Sequence, residues 1–506
     1  MAITCHSVPV IRGKKFRYGN KMESILHLII FLTFTVENGA AYGSSSISPQ
    51  PEQIHISRTA DQSEMMITWT TLAPASSSVV EYNFKGQPLT NVAKGNSKPY
   101  KTCGWKKRYI HIHRVKLKGL LPSTSYGYRC GGSDGWSAIY FFKTSKVGNQ
   151  WSPSLAVYGD LGVGNAQSLS KLQTEVQNGD YDAVLHVGDF AYDMSHDESR
   201  VADAFMNQIE TIAAYVPYMV CPGNHEFQCN FSNYRERFSM PGDNQGLFYS
   251  WNIGPAHIIS FSTELYYFLQ YGIEQLVNQY KWLQKDLEEA NLPHNRSIRP
   301  WIITMGHRPM YCSNMVGDGC ENHENEIRTG ITSLKLFPLE ELFYKHGVDL
   351  EIWAHEHSYE RLFPVYNHKI YNGSLEHPYT NPRAPVHIVT GSAGCKYCHD
   401  KFKRDYGPWT AFRTLDYGYT RMKIHNFTHL YLEQVSIDKN NKVIDRVWII
   451  KDKHGREAWA SDDVVQGVPS DAGSLFKANS FKTMKNFNDI IEKYTNDLKS
   501  RNNPYK

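Results

Sequence analysis

The chain has 506 residues, of which 41% are hydrophobic and 21% charged, and its net charge is +4. That length is enough for more than one domain. A net charge this small, with no dense basic patch interleaved with aromatics, excludes nucleic acid as the expected partner.

At the N-terminus, Arg12, Lys14, Lys15, Arg17 and Lys21 precede an apolar run at 25–36, which the small residues Gly39, Ala40 and Ala41 follow. This is the layout of a secretory signal, so residues 1–41 read as a signal peptide region. The run is too short for an ordinary membrane span, and no stable span is expected. A signal anchor is the other reading, and Met22 is an alternative start because the signal is complete without what precedes it. Once Cys5 leaves with the signal, eight cysteines remain, an even number that suits an oxidising compartment. Proximity suggests Cys103 with Cys130, Cys312 with Cys320, and Cys395 with Cys398, although sequence does not fix connectivity. The last pair has a redox or zinc spacing, but no second zinc-spaced pair accompanies it, which favours a loop staple. Sequons at Asn230, Asn295, Asn372 and Asn426 permit N-glycosylation. A secreted or lysosomal glycoprotein of the secretory pathway is expected.

Residues 50–145 carry short alternating segments at 53–56, 65–70, 79–82, 109–112 and 126–129, separated by turn residues, the pattern of an all-β sandwich. The stretch 120–128 resembles the corner before a late strand of fibronectin type III domains. A linker at 145–153 leads into a second domain over 152–450. There the apolar runs 154–158, 183–187, 301–305 and 348–354 read as buried strands, and the polar stretches 165–178 and 275–290 as helices, an α/β pattern. Another strand with a Gly-rich turn follows at 386–394, then a terminal meander at 419–424, 430–437 and 443–450. The tail at 451–506 is polar and basic. Its Phe, Ile and Leu recur at roughly helical spacing from 474 onward, which suits a docking or fraying helix better than a membrane binder.

Five motifs follow these elements: Gly159-Asp160-Leu161-Gly162, Gly188-Asp189-Phe190-Ala191-Tyr192, Gly223-Asn224-His225-Glu226, Gly306-His307 and His355-Glu356-His357. Four of them end an apolar run, the place where function gathers in open α/β sheets. Asp160, Asp189, Tyr192, Asn224, His307, His355 and His357 supply a ligand set for two ions of different hardness. Carboxylate and phenolate oxygens suit a trivalent ion, whereas imidazole suits Zn(II), Fe(II) or Mn(II). One carboxylate can bridge two ions roughly 3.5 to 4 Å apart, the clamp used for displacement at phosphorus; Asp189 is the choice for that bridge. Each motif alone is weak. A Gly-Asp after a strand is more often a turn, Asn224-His225 could be a plain turn, and His355 and His357 would share one face of a strand. All five together, in order and at strand ends, make coincidence the poorer reading. His186, inside an apolar run, reads as a satisfied core histidine.

These motifs resemble the signature of the metallophosphoesterase superfamily, and Tyr192, three positions after Asp189, is similar to the tyrosinate ligand of purple acid phosphatases, in their animal long form. The resemblance implies an α/β metallophosphoesterase domain of mixed sheets sandwiched by helices, preceded by the fibronectin type III-like sandwich. It implies Fe(III) held by Asp160, Asp189, Tyr192 and His357, and a divalent Zn, Fe or Mn ion held by Asp189, Asn224, His307 and His355. It implies a visible charge-transfer band and acid phosphatase activity on phosphate monoesters, with a metal-bound hydroxide attacking in line. His225 would hold a phosphate oxygen, and His323 or water would protonate the leaving alkoxide.

Two positions depart from the pattern. Ala354 stands where much of the superfamily has Gly, and Val316 and Gly317 stand where the plant-type family places a His pair. His323 is the nearest replacement for that pair, or only a polar loop residue. A homodimer is left open. Two further readings stand beside this one: a di-metal phosphodiesterase of the same superfamily, against which Tyr192 argues, and a noncatalytic secreted adhesion protein, against which the intact ligand set argues.

Overall fold

Two antiparallel sheets form the N-terminal part of the structure, a computed structural model that describes residues 49–459 except 107, 316, 318, 321–323, 332–334 and 396–398. The expected signal region, the tail beyond 459, His323 and Cys398 lie outside the described residues. One sheet orders Glu52–Arg58, Met65–Thr71, Tyr109–Leu117 and Asn96–Lys101. The other orders Asn91–Lys94, Val79–Phe84, Ser125–Gly132 and Gly135–Trp136, with Tyr140–Lys143 also paired to Ser125–Gly132. Alternation with period 2 sends Ile54, Ile56, Ile67, Trp69, Val115 and Leu117 into a core shared with Val80, Tyr126, Tyr128 and Phe142. Tyr126 fastens the expected corner, its hydroxyl accepting a 2.9 Å hydrogen bond from the Leu121 N–H.

From Ser154 onward, parallel strands alternate with helices. A six-stranded sheet orders Tyr218–Cys221, Ala183–Val187, Ser154–Tyr158, Gly418–Ile424, His429–Ser436 and Lys442–Ile450. Its first three strands are parallel, and its last three are the expected antiparallel meander. A seven-stranded sheet orders Tyr249–Ile253, Ala256–Ser260, Trp301–Met305, Leu350–Trp353, Val386–Thr390, Tyr359–Leu362 and Thr410–Thr414. Leu155 and Val157 point toward this second sheet and pack with Ile303, Ile352 and Ile388. The alternate residues Ala156 and Tyr158 belong to the outer core with Leu172 of the helix Leu169–Asn178 and Ile209 of the helix His196–Ala213. Two mixed sheets thus lie between helices, as expected.

Cysteine pairing differs from the expectation at one bridge. Cys103 pairs with Cys229, at a sequence separation of 126, whereas Cys312 pairs with Cys320 as expected. Cys130 lies opposite Val80 in the sandwich and points into its core, while Cys103 lies beyond the strand Asn96–Lys101, where the sandwich meets the helix Gln228–Arg237. Cys130 and Cys221 are buried thiols. The same junction carries a 2.8 Å hydrogen bond from the Tyr128 hydroxyl to the Ala214 carbonyl and another from Arg237 to Gln53. These contacts place the sandwich against the helices that follow the second and third motifs.

Candidate metal centre

The five motifs follow the carboxyl ends of Ser154–Tyr158, Ala183–Val187, Tyr218–Cys221, Trp301–Met305 and Leu350–Trp353. Immediately beyond them the chain turns hard: Asp160, Asp189, Tyr192 and His355 have φ of 58°, 50°, 53° and 69°. Left-handed backbone costs a non-glycine residue about 1–2 kcal/mol, and such strain concentrates at functional sites. Two motif glycines leave the room that this packing needs. A Cβ on Gly188 would come 2.4 Å from His307 Nδ1, and one on Gly223 would come 2.2 Å from Asp189 Oδ1.

The candidate ligands converge in two groups. In the first, His307 Nε2 lies 3.3 Å from Asp189 Oδ2, 3.1 Å from Asn224 Oδ1 and 3.2 Å from His355 Nδ1. In the second, Tyr192 Oη lies 3.2 Å from Asp160 Oδ1 and 2.8 Å from His357 Nε2. The groups are tied together, because Asp160 Oδ2 accepts a 3.0 Å hydrogen bond from the His355 N–H. His355 and His357 occupy the loop between Leu350–Trp353 and Tyr359–Leu362, so they do not share a strand face as their alternation alone would suggest; each serves a different group.

The donor chemistry calls for cations. His307 Nδ1 donates to the Val187 carbonyl at 2.8 Å, which turns the Nε2 lone pair toward Asp189, Asn224 and His355. Burial disfavours a charged His307, yet Asp189 and Asp160 outweigh it and push the ring up to about 10. Burial, followed by the charges of Asp160 and Asp189, raises the Tyr192 phenol well above its ordinary value. Two carboxylates buried this close together need compensating positive charge, which protons on the facing imidazoles supply here and cations held by the same donors would supply in their place.

Comparison with known proteins agrees with this geometry. Residues 51–144 match the family described as purple acid phosphatase, N-terminal domain; residues 153–359 match calcineurin-like phosphoesterase; residues 384–446 match iron/zinc purple acid phosphatase-like protein C. Acid phosphatase type 7 of Danio rerio is 56% identical over 424 residues, covering 83% of this chain and 96% of that protein. The chain belongs to the purple acid phosphatase family. Acid phosphatase type 7 of Homo sapiens is 52% identical over 430 residues, covering 85% and 97% of the two chains. Among solved structures, the purple acid phosphatase PPD1 from yellow lupin seeds superposes with a TM-score of 0.68 at 26% identity, covering 83% of this chain and 77% of that one. The protein is thus an acid phosphatase, and its family implies a binuclear centre of iron and a divalent metal.

Around the candidate ligands of this purple acid phosphatase stand Asp193, Glu226 and Asp400, to which the sequence reading gave no role. Asp193 Oδ1 lies 2.9 Å from His225 Nδ1, while His225 Nε2 lies 3.8 Å from Asp189 Oδ2. Burial opposes charge on His225, but Asp189 and Asp193 raise its pKa overall. Glu226 accepts from the N–H groups of Gly223, Asp189 and Phe190 at 2.9, 3.0 and 3.1 Å, lacing two ligand loops together. Asp400 Oδ2 accepts from the His357 N–H at 2.9 Å. Asp193 adjoins the second motif and Glu226 ends the third, so both could have been suspected; Asp400 lies far along the chain and carried no signal. His186 is a core residue as expected, but it is satisfied only at Nδ1, 2.6 Å from the Tyr218 hydroxyl; its buried Nε2 meets no hydrogen-bond partner among the described residues. Cys312, Cys320 and Glu356 also converge, but the two sulfurs are joined to each other. No helix among the described residues is long and apolar enough to cross a membrane.

Proposed function

We propose that the chain hydrolyses phosphate monoesters at acid pH, with Asp160, Asp189, Tyr192 and His357 holding Fe(III) and Asp189, Asn224, His307 and His355 holding a zinc, iron or manganese ion. The observation that carries this reading is the convergence of seven buried or half-buried donors in two linked groups, with a phenol in one of them. Hard oxygens gather with Tyr192, while two imidazoles and an amide gather with Asp189, and this division suits ions of different hardness. When bound, the two ions would neutralise the phosphoryl oxygens and lower the pKa of a water molecule enough for attack in acid.

The chain's own groups supply the rest. The Val187 carbonyl fixes the His307 tautomer, and Glu226 keeps the loops bearing Asp189 and Asn224 in register. Asp193 orients His225 and favours its protonated form, so that Nε2–H can donate to a phosphate oxygen. The proton for the leaving alkoxide would come from His323 or from water. Because water is the nucleophile, no phosphorylated side chain forms. The Cys103–Cys229 and Cys312–Cys320 bridges, with the N-terminal signal pattern, support a secreted or lysosomal enzyme.

The test compares p-nitrophenyl phosphate with bis-p-nitrophenyl phosphate across acid and neutral pH, before and after chelation. Preferential monoester turnover in acid, lost on chelation and restored by iron with a divalent ion, is expected. Preferential diester turnover without iron would move the protein to the phosphodiesterase reading.

A further inference from the structure

Arg308 stands at the edge of the centre without belonging to either ligand group. Its backbone N–H donates to Thr263 Oγ1 at 3.0 Å, and its Nε donates to the buried Glu264 carboxylate at 3.1 Å. The guanidinium carbon lies 4.6 Å from the centroid of the Tyr267 ring. Glu264 is steadied in turn by the Thr263 hydroxyl at 2.8 Å. With that side of the guanidinium anchored, NH1 reaches the inner edge of the site and lies 3.0 Å from His355 Nε2. The other nitrogen of the same ring, Nδ1, is the one that joins the donor group around His307. The Arg308 side chain is largely covered, with 13% exposed.

Guanidinium nitrogens only donate. A neutral His355 that turns its Nδ1 lone pair toward an ion carries its proton on Nε2, and then two donors face each other across 3.0 Å. NH1 then serves as a donor to an acceptor that the substrate brings to the same edge. A phosphoryl oxygen is such an acceptor, and the rigid fork of Arg matches phosphate better than a point charge does. Anchoring by Glu264 and Tyr267 lowers the side-chain entropy that such a contact would otherwise lose.

We propose that Arg308 binds the phosphate group of the substrate, with Glu264, Thr263 and Tyr267 as its positioning residues. The proposal rests on the phosphatase reading above. It assigns Arg308 a phosphate contact that is separate from the metal ligands and from His225.

The test uses the full-length metal-loaded enzyme and its Arg308→Gln and Arg308→Lys variants. Four quantities are read: kcat and KM for p-nitrophenyl phosphate, the inhibition constant of orthophosphate, orthophosphate binding by calorimetry, and metal content. An inactive wild type would overturn the phosphatase reading and Arg308 with it, whereas an active wild type isolates the Arg308 question. In Arg308→Gln, KM and the orthophosphate inhibition constant are expected to rise together by about 10- to 100-fold, with kcat less affected and both metals retained. Arg308→Lys keeps the charge but loses the fork and should recover part of that loss. An orthophosphate affinity equal to wild type, or a loss that tracks departure of the divalent ion, would overturn the proposal. If Arg308→Gln does not fold, Arg308→Lys decides alone: orthophosphate must still bind more weakly than to wild type, and equal binding refutes the assignment.

Discussion

Tyr192 Oη lies 2.8 Å from His357 Nε2, across 165 residues of sequence, and the same phenol lies 3.2 Å from Asp160 Oδ1. Burial and the neighbouring carboxylates keep this phenol neutral far above its ordinary range, so only a strong cation would take the place of its proton. Tyr192→Phe is therefore expected to lose visible absorption while the group of Asn224, His307 and His355 still retains its divalent ion. The check is a spectrum of the variant with metal analysis beside it. A coloured Tyr192→Phe would place the chromophore elsewhere.

Glu226 is expected to matter for metal affinity although it faces neither ligand group directly. Its carboxylate accepts three backbone N–H bonds from the loops that carry Asp189 and Asn224. Glu226→Gln sets an amide donor against one of those N–H groups. Outer partners of this kind typically contribute about 10- to 100-fold in metal affinity, and equilibrium dialysis against a graded chelator should show a loss of that size. Wild-type affinity in the variant would mean that the loops hold themselves.

The convergence of the candidate ligands was legible because each follows an apolar strand within a few residues, so one short stretch carries both the strand and its candidate ligand. Tyr192, three positions after Asp189, was picked out by its resemblance to the tyrosinate ligand of the family, and its hydroxyl does meet Asp160 and His357. Contacts set by tertiary docking were not legible: Cys103 meets Cys229 only once the sandwich rests on Gln228–Arg237, and Arg308 meets Glu264 only once two strands pair. The strands Asn91–Lys94 and Asn96–Lys101 were missed because they are mostly exposed and lack apolar alternation.

The Cys103–Cys229 bridge should stabilise the junction between the sandwich and the catalytic sheets. It closes a long loop, its partners being 126 residues apart. Removing a native disulfide typically costs about 2–5 kcal/mol. Cys103→Ser with Cys229→Ser should lower the urea midpoint accordingly, whereas Cys130→Ser should leave the bridge intact. Equal midpoints for the double variant and wild type would show that docking contacts such as Tyr128 to Ala214 suffice.

Stability at low pH should depend on Asp349. Its carboxylate accepts from Lys451, from Arg296 at 3.2 Å, from His454 at 3.1 Å and from the Ile302 N–H at 2.9 Å. Burial alone would raise its pKa, but Lys451, His454 and Arg296 hold it well below the ordinary carboxylate range. A depressed carboxylate contributes its full stability above the unfolded value of about 3.9 and loses it as pH falls through the folded value. Asp349→Asn should therefore cost about 3–5 kcal/mol at neutral pH, and the gap to wild type should narrow below about pH 3.9. Urea titrations at a series of pH values give the comparison; a gap that stays constant down to strong acid would contradict this linkage.

The most direct test of a Tyr192-bearing iron centre is the visible absorption spectrum of the purified wild-type protein, read together with its metal content. A broad visible band with about one iron and about one further divalent ion per chain is the predicted result. A colourless protein that holds two zinc or manganese ions, with metal loss during purification excluded, would contradict it.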